Sequence, residues 1–233
     1  MIKVTYIDHM GSDLSVVNAA RVSFGKKSEA LGTSGVEGEP MTPILNDPDK
    51  RLIKYLAKHK HMSPFGHAFA SFHVKAPIFV ARQLVKHKFL RWNEISRRYV
   101  DDEPEFYVPD VWRGRSADKK QGSAGEVELR GDSFGVGYEP WWGDGSLQDT
   151  TLNIYKDLLE QGVCPEQARM VLPQSTMTEW YWSGSLDAFA DMCRLRITPD
   201  TQYESRQVAL GVDKIMLRIF PVSWDALEGY GND

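Results

Sequence analysis

The sequence predicts an α/β (α+β) fold, in which helices and strands are mixed along one chain. Its 233 residues suffice for one sizeable core, built as one domain or as a large domain with a smaller lobe. Some segments place an apolar residue at every second position, the period of a strand, and others at every third or fourth, the period of a helix. An apolar content of 42% and a charged content of 26% are ordinary for a globular protein.

The N-terminal half is predicted from these two periods and from helix-capping residues. The expected elements are, in order, a strand over residues 1–8, a helix over 14–22 capped by Ser12 or Asp13, a long surface loop over 26–43, a helix over 47–60 capped by Asp47 or Asp49, a turn over 61–67, a strand over 67–75 and a helix over 78–90.

One face of the predicted strand over residues 67–75 is entirely apolar, which indicates a half-buried strand. The residues expected in the core are Ala68, Ala70, Phe72 and Val74. Pro77 suits the first turn of the helix that follows, because an amide hydrogen has no helical partner at that position. On that helix Gln83 and Lys86 lie three apart and should share a polar edge.

The C-terminal half begins with a segment over residues 111–147 that looks like an insertion. It holds eight glycines among scattered tryptophans and tyrosines. Loops of this length in a compact domain are functional or disordered, and the aromatic residues favour a lid or a subunit contact over a linker. Helices are expected over residues 147–162, 186–195 and 201–220, with a strand over 176–182 between the first two.

Composition indicates a cytoplasmic protein that contacts neither nucleic acid nor membrane. The formal net charge is −4, which disfavours an extended polyanion surface. The two cysteines, Cys164 and Cys193, are too few for a disulfide framework and are typical of a reduced compartment. No run approaches the roughly 18 apolar residues of a membrane span, and the first residues lack the apolar core of a signal peptide.

The stretch over residues 71–99, SFHVKAPIFVARQLVKHKFLRWNEISRRY, is the most informative segment. Between positions 82 and 98 it carries six cationic side chains against one carboxylate, Glu94. A helix C-terminus accounts for Lys86 and Lys88, because cations favour its dipole. The run RWNEISRRY needs another reason, since its arginine forks suit phosphate oxygens and its Asn and Ser groups suit a nucleobase edge. The segment therefore predicts a phosphate or nucleotide site.

Other chemistries are not indicated. Four histidines fall close together, but His67 and His73 would stand about 20 Å apart on a strand, and residues 52–93 contain no carboxylate to complete a metal site. We therefore expect no metal. Neither cysteine has the polar neighbours of a catalytic thiolate, and neither a phosphate-binding glycine loop in the right context nor a GxSxG elbow occurs. An enzyme with this sequence need not use a Ser or Cys nucleophile.

The run KHKFLRWNEISRRY resembles the signature of the flavin-dependent thymidylate synthases (the ThyX family), in which Arg-His-Arg, a Ser, an Asn-Glu pair, a second Ser and an Arg-Tyr pair follow in order. Four further blocks resemble the family in the same order: HMSPFGHAFASFHVKAPIFVARQ, DVWRGRSADKKQGS, EQARMVLP and CRLRITPDTQYESR. These blocks extend over most of the chain between positions 61 and 206, so chance does not explain the resemblance.

The resemblance implies a single domain, similar to thymidylate synthase-complementing proteins, with a central and mostly antiparallel sheet flanked by helices. It implies a homotetramer with shared active sites that binds FAD at subunit junctions. The implied reaction converts dUMP to dTMP with 5,10-methylenetetrahydrofolate as one-carbon donor and NADPH as reductant. In that chemistry uracil C5 attacks the one-carbon unit, and reduced flavin later supplies a hydride without an enzyme cysteine on C6.

The resemblance also implies which residues form the site. Those expected to bind the nucleotide are Gln83, Lys86, Glu94, Ser96, Arg97, Arg98, Arg169 and Arg196. Those expected on the flavin side are His61, Ser63, Lys86, His87, Lys88, Phe89, Glu94, Ser185, Asp191 and Leu195. Arg169 would come from a neighbouring subunit, and Arg196 would favour charge on the pyrimidine ring. The implied catalytic residues are Arg196, Ser96 and His61.

The chain departs from the family pattern at several positions. Two lysines replace the arginines of the triplet, which keeps the charge but removes the bidentate forks. Arg91 replaces the first signature serine, and Gly66 stands where a glutamate is usual. The other departures are Ser185, Asp191 and Asp200. The flavin and folate side is therefore more altered than the nucleotide side.

Three alternatives remain open at this point. The altered flavin side leaves room for a dUMP hydroxymethylase or for an enzyme that acts on dCMP. A flavin- or nucleotide-binding protein without turnover is the second alternative. The third is a nucleic-acid-binding module that uses the basic segment, which the acidic net charge disfavours.

Overall fold

The computed structural model describes residues 1–35, 40–100, 102–117, 122–127 and 147–228. The strands are β1 (Lys3–Met10), β2 (Gly32–Ser34), β3 (Thr42–Ile44), β4 (Phe69–Pro77), β5 (Leu90–Glu94), β6 (Arg113–Arg115), β7 (Ser123–Glu126) and β8 (Met177–Ser185). The α-helices are α1 (Asp13–Arg21), α2 (Asp47–Lys58), α3 (Ile78–Leu84), α4 (Leu147–Glu160), α5 (Pro165–Ala168), α6 (Leu186–Arg196), α7 (Tyr203–Ile219) and α8 (Pro221–Glu228). Short 3₁₀ helices span Val22–Phe24, Ser63–His67 and Arg169–Val171.

A four-stranded sheet in the order β1-β4-β8-β5 forms the centre of the fold. Each neighbouring pair in it is antiparallel, with Phe72 of β4 opposite both Tyr6 of β1 and Trp182 of β8. β5 pairs with β8 and lies at the edge of the sheet. This arrangement confirms the predicted fold class, a domain of mixed helices with a central antiparallel sheet.

The core lies between the sheet and α3, α6 and α7, which pack against it. The four residues predicted to be buried on β4 and just before it are each at most 1% exposed, which confirms the predicted alternation. The Phe189 ring of α6 meets Phe72 and Trp182 edge-on, with centroids 5.0 and 5.4 Å apart. Burial of each such side chain is worth about 1.5–3 kcal/mol.

Buried carboxylates connect the helices around this core. The Asp13 carboxylate of α1 accepts hydrogen bonds from the amides of Val222 (3.0 Å) and Ser223 (2.9 Å) at the start of α8. It therefore stabilises the first turn of a distant helix. Burial raises the pKa of Asp13. The carboxylate of Asp49, which is fully buried, pairs with Arg21.

The predicted cap of α2 is wrong. Neither Asp47 nor Asp49 precedes the helix; both lie in its first turn. The cap is Asn46, whose extended backbone lets its side-chain oxygen accept the Asp49 amide at 2.9 Å. Asp49 instead points inward to Arg21, a partner far away in sequence.

Two other predictions fail at element boundaries. Residues 26–43 were expected to form a loop, but β2 and β3 lie within or beside that range and pair with each other. The helix predicted over 78–90 ends at Leu84, so Gln83 and Lys86 do not share a helical edge. Phe89 has a φ of 64°, which a right-handed helix does not allow. Beyond it β5 finds a partner in β8, and this pairing replaces the helical hydrogen bonds. The sequence did not predict α5 and α8.

The predicted insertion over residues 111–147 is described only in part. Its described residues include the antiparallel hairpin of β6 and β7. A Cβ atom on Gly122 would lie 2.9 Å from the Asp200 carbonyl oxygen, so the chain at Gly122 approaches the segment before α7 closely. Positions 118–121 and 128–146 lie outside the described residues, and a role as lid or subunit contact stays a prediction.

Both cysteines are free. Cys193 is buried in α6, and burial raises the pKa of its thiol, which is unfavourable for a reactive thiolate. Cys164 is exposed at the start of α5. In the described ranges no helix is long and apolar enough to cross a bilayer. Those ranges also contain no group of three or more potential metal-binding side chains.

Candidate active site

A cleft of about 700 Å³ opens between α3, the end of β5 and the chain that leads into β8. Five of the residues expected to bind nucleotide line it: Glu94, Ser96, Arg97, Arg98 and Arg169. Apolar side chains form much of the remaining wall: Ile78, Val85, Met170, Leu172 and Met177. The cleft therefore combines several positive charges, one carboxylate and an apolar surface, the mixture that a phosphorylated planar molecule needs.

The Glu94 carboxylate is held at both of its oxygens. The Thr178 hydroxyl donates to Oε1 at 2.7 Å, and the Trp92 indole Nε1 donates to Oε2 at 3.0 Å. The Trp92 ring in turn stacks on the buried Trp180, with centroids 4.3 Å apart. These contacts orient Glu94, and its remaining lone pairs can accept a hydrogen bond from a ligand.

The loop after β5 presents two arginines to the cleft. Arg97 donates from Nη1 to the backbone oxygen of Asp102, and the Asp102 carboxylate lies 3.8 Å from the same nitrogen. Arg98 donates from Nε to the Ser96 hydroxyl at 3.0 Å. Each guanidinium has five N–H groups, so donors remain for an anion after these contacts.

Arg169 comes from the 3₁₀ helix on another side of the same cleft. Its Nε donates to the Glu166 carbonyl at 3.1 Å. Arg169 therefore lines a cleft of its own chain. Its expected contribution to the site of a neighbouring subunit stays a prediction.

A second set of expected residues lies at the turn between α3 and β5. Lys86, Lys88 and Phe89 are exposed there, and 84% of the Phe89 surface is accessible. Just beyond the turn, Leu90 pairs with Gly184 of β8. A Cβ atom on Gly184 would collide with the Leu90 side chain and lie 3.2 Å from the Phe89 carbonyl oxygen. Glycine at position 184 therefore permits this turn to pack closely against β8.

Arg196 meets this turn from the C-terminal end of α6. Its Nε donates to Nε2 of His87 at 2.9 Å. Burial and the nearby Arg196 charge lower the pKa of His87 to about 4, so the imidazole is neutral at neutral pH and Nε2 is the acceptor. Burial also lowers the pKa of Arg196. A partly buried guanidinium with a fixed orientation can stabilise negative charge on a ligand.

The remaining flavin-side residues lie around α6 and the 3₁₀ helix that packs on it. Ser185 precedes the first turn of α6, and Asp191 forms an ion pair with Arg194 at 3.1 Å. The other three are exposed: His61, Ser63 and Leu195.

One chain therefore separates the expected residues into two sets. Glu94, Arg97 and Arg98 lie at one end of β5, and the turn at Phe89 lies at the other, about 13 Å away along a five-residue strand. Gln83, Lys86 and Arg196 do not line the cleft. Among the described residues, the buried side-chain oxygen of Gln83 has no hydrogen-bond partner.

Comparison with known proteins shows which family the chain belongs to. Residues 5–222 match the model of a family described as thymidylate synthase complementing protein. The chain belongs to this family.

Named relatives resemble the chain over most of its length. A flavin-dependent thymidylate synthase of Thermus thermophilus is 38% identical over 225 residues, which are 97% of this chain and 75% of the relative. That of Kosmotoga olearia is 40% identical over 226 residues, with 96% and 88% covered. A solved structure of the UMP/dUMP methylase PolB from Streptomyces cacaoi, bound with 5-Br dUMP, has a TM-score of 0.75 at 28% identity and covers 99% of this chain and 96% of its own.

The structure places the departures from the thymidylate synthase complementing family mostly on open surface. Lys86 and Lys88, in place of arginines, make no hydrogen bond or ion pair with another described residue. Arg91 pairs with Ser183 on β5 and β8 and does not line the cleft. A Cβ atom on Gly66 would meet no atom within 4 Å, so packing does not exclude the glutamate usual in the family.

The sequence missed Thr178 and left Arg82 unassigned, although both line the cleft. Thr178 bonds to a residue 84 positions earlier. No local pattern indicates such a contact, because it depends on the pairing of β5 with β8. Arg82 belongs to the basic segment. Its spacing of four from Ile78 and three from Val85 places it on the side of α3 that lines the cleft.

Proposed function

We propose that this protein converts dUMP to dTMP as an FAD-dependent thymidylate synthase, with 5,10-methylenetetrahydrofolate as one-carbon donor and NADPH as reductant. The observation that carries the proposal is the cleft in which Glu94, Ser96, Arg97, Arg98 and Arg169 converge. The family match supports it, as do relatives named flavin-dependent thymidylate synthase and a structural neighbour named UMP/dUMP methylase.

In this proposal the cleft binds the nucleotide through its charged groups. The arginine forks bind the phosphate, because guanidinium donors match phosphate oxygens in pairs. The oriented Glu94 carboxylate accepts an N–H of the uracil edge. Arg196 lies outside the cleft of its own chain, so in this proposal it acts on the pyrimidine bound in the cleft of a neighbouring chain, where it favours charge at C5 as that carbon becomes nucleophilic. The chain needs no cysteine for this, in keeping with the buried thiol of Cys193.

The residues on the opposite end of β5 fit FAD. Lys86 and Lys88 supply positive charge for its phosphates, and exposed apolar groups such as Phe89 and Leu195 supply contacts for a planar ring. Neutral His87 offers a second polar contact. When bound, reduced flavin supplies the hydride of the reaction. The protein's own residues bind the ring and keep it beside the pyrimidine.

We also propose a cytoplasmic homotetramer in which subunits share active sites. The separation of the two residue sets along β5 supports this, since a flavin-side set from one chain and a nucleotide-side set from another can form one site. Two free cysteines are in keeping with a reduced compartment. The partners of this protein are then dUMP, folate and copies of itself, with no nucleic acid and no membrane.

Mass analysis of the nucleotide product tests the reaction. Purified protein is incubated with FAD, NADPH and methylenetetrahydrofolate, and with dUMP or dCMP in separate tubes. The proposal predicts that dUMP alone gains a methyl group. The similarity to a flavin-dependent thymidylate synthase and to a UMP/dUMP methylase favours methylation of dUMP over the hydroxymethylase and dCMP alternatives. A hydroxymethyl product, a product from dCMP alone, or no product would contradict the proposal.

A further inference from the structure

Arg82 differs from the other arginines of the cleft. Four arginines line the cleft: Arg82, Arg97, Arg98 and Arg169. The last three donate hydrogen bonds to neighbouring protein groups. The side chain of Arg82, which is exposed, makes no hydrogen bond or ion pair with any other residue that the structure describes. All five of its N–H donors are therefore available to a ligand.

Arg82 lies on the side of α3 that lines the cleft. Ile78, Ala81, Arg82 and Val85 all line it, and their spacing of three and four places them on one side of the helix and its last turn. Arg82 is the one charged residue of this set. The opposite wall holds the Glu94–Arg98 loop, where Glu94 is already bound by Thr178 and Trp92. A counter-ion for Arg82 within the protein is absent from the described residues.

The side chains that line the cleft favour a negatively charged ligand. Four guanidinium groups face a single carboxylate there. A phosphate monoester carries about −1.5 to −2 charges at neutral pH and accepts several hydrogen bonds. We propose that Arg82 binds the phosphate of the nucleotide, as a specificity residue beyond those that the family signature indicates. This inference rests on the proposed function and adds one residue to its substrate site.

The test compares a ligand with the phosphate and the same ligand without it. Dissociation constants of dUMP and inhibition constants of deoxyuridine are measured with FAD-loaded protein and with its Arg82→Gln variant. A charge-assisted hydrogen bond lost from the phosphate should weaken dUMP about 10- to 100-fold. Binding of deoxyuridine should change less than about twofold, because Arg82 has no phosphate to contact in that complex.

Matched variants separate a direct contact from a general effect. Arg51→Gln removes the same charge from an exposed position on α2, outside the cleft, and should leave dUMP binding unchanged. Arg82→Lys should recover part of the affinity, since lysine keeps the charge without the fork. Equal weakening of both ligands, or no weakening of dUMP, would overturn the inference while the proposed function stands. Failure of the unsubstituted protein to bind dUMP would overturn both.

Discussion

The Nε atom of Arg196 donates a hydrogen bond of 2.9 Å to Nε2 of His87, a residue 109 positions earlier. The contact joins the C-terminal end of α6 to the turn that precedes β5. It requires an imidazole with a free lone pair, and the lowered pKa of His87, about 4, provides one throughout the neutral range. His87 is therefore a positioning residue for Arg196 as well as an expected contact of the cofactor.

Substitution of Arg196 by alanine should reduce turnover much more than FAD affinity. A donor aimed at developing charge is worth about 10²- to 10³-fold in kcat, whereas the expected flavin contacts lie on other residues. Because Arg196 contacts His87, one of several expected flavin residues, we expect a smaller rise of about two- to tenfold in the FAD dissociation constant. Steady-state rates and a fluorescence titration of FAD measure the two effects. Equal losses in both would show that the assigned role of Arg196 is wrong.

His87→Gln should remove one source of acid sensitivity. The folded-state pKa of His87 is about 4 and the unfolded value is 6.5. Between these values the unfolded chain binds more protons, so stability decreases as the pH falls from 6.5 towards 4. Glutamine does not titrate, and the slope of unfolding free energy against pH should become flatter in this window. Urea unfolding at a series of pH values gives the slope, and an unchanged slope would contradict the prediction.

Glu228→Gln should have the opposite effect. The Glu228 carboxyl shares a hydrogen bond with Asp213, which with burial raises its pKa from 4.5 to about 7. The folded state therefore binds more protons than the unfolded state, and stability decreases as the pH rises from 4.5 towards 7. In the variant, the free energy of unfolding should no longer decrease over this pH range because of this group. Because the two substitutions change the slope in opposite directions, each serves as the control of the other in the same unfolding series.

Thr178→Val should weaken nucleotide binding without unfolding the protein. Valine has nearly the same shape but cannot donate a hydrogen bond to Glu94. Of the two hydrogen bonds that orient the Glu94 carboxylate, only the one from Trp92 then remains. A bond to a charged group is worth about 1.5–3 kcal/mol, so the loss of Glu94 orientation should raise the dUMP dissociation constant by at most about 10- to 100-fold. Calorimetric titration measures it. Thr178→Ser keeps the hydroxyl and should bind nearly as well as the unsubstituted protein; a similar loss in both variants would refute the positioning role.

Two glycine substitutions should differ sharply in stability. Gly184→Ala adds an atom that meets the end of the Leu90 side chain and lies 3.2 Å from the Phe89 carbonyl oxygen, a backbone atom that moves less easily. Such overpacking costs about 1–3 kcal/mol. Gly66→Glu adds a side chain where no atom lies within 4 Å of the new Cβ, so its cost should stay within about 0.5 kcal/mol. Urea unfolding at constant pH measures both. A larger loss for Gly66→Glu than for Gly184→Ala would contradict this account.

Local patterns predicted the parts of the fold whose signal lies within a few residues. The alternation on β4 identified its buried face correctly, because that face packs uniformly on helices. The helices α6 and α7 were expected within two residues of their observed starts. Ser12 caps α1 as expected. The composition of the Arg82–Arg98 segment predicts an anion site; Arg82, Arg97 and Arg98 of this segment line the cleft, and the anion itself stays a prediction.

Features that depend on distant partners could not be predicted in this way. Leu90 continues an apolar helical pattern, yet it belongs to β5 because β8 lies beside it. The orientation of Glu94 depends on Thr178, and that of Arg196 depends on His87. Both pairs form only after the sheet has assembled. The signature predicts which residues belong to the site, and the tertiary fold determines which of them lie together.

The edge position of β5 has a thermodynamic consequence. Among the residues that the structure describes, β5 forms ladder hydrogen bonds with β8 alone, and edge strands of this kind open more readily than strands paired on both sides. A nucleotide held at its Glu94 end would restrict the motion of the whole strand. A flavin that then contacts the Phe89 end would bind a segment whose conformational entropy has already been lost. The two ligands should therefore increase each other's affinity by the same factor, with no need for a change in the average structure.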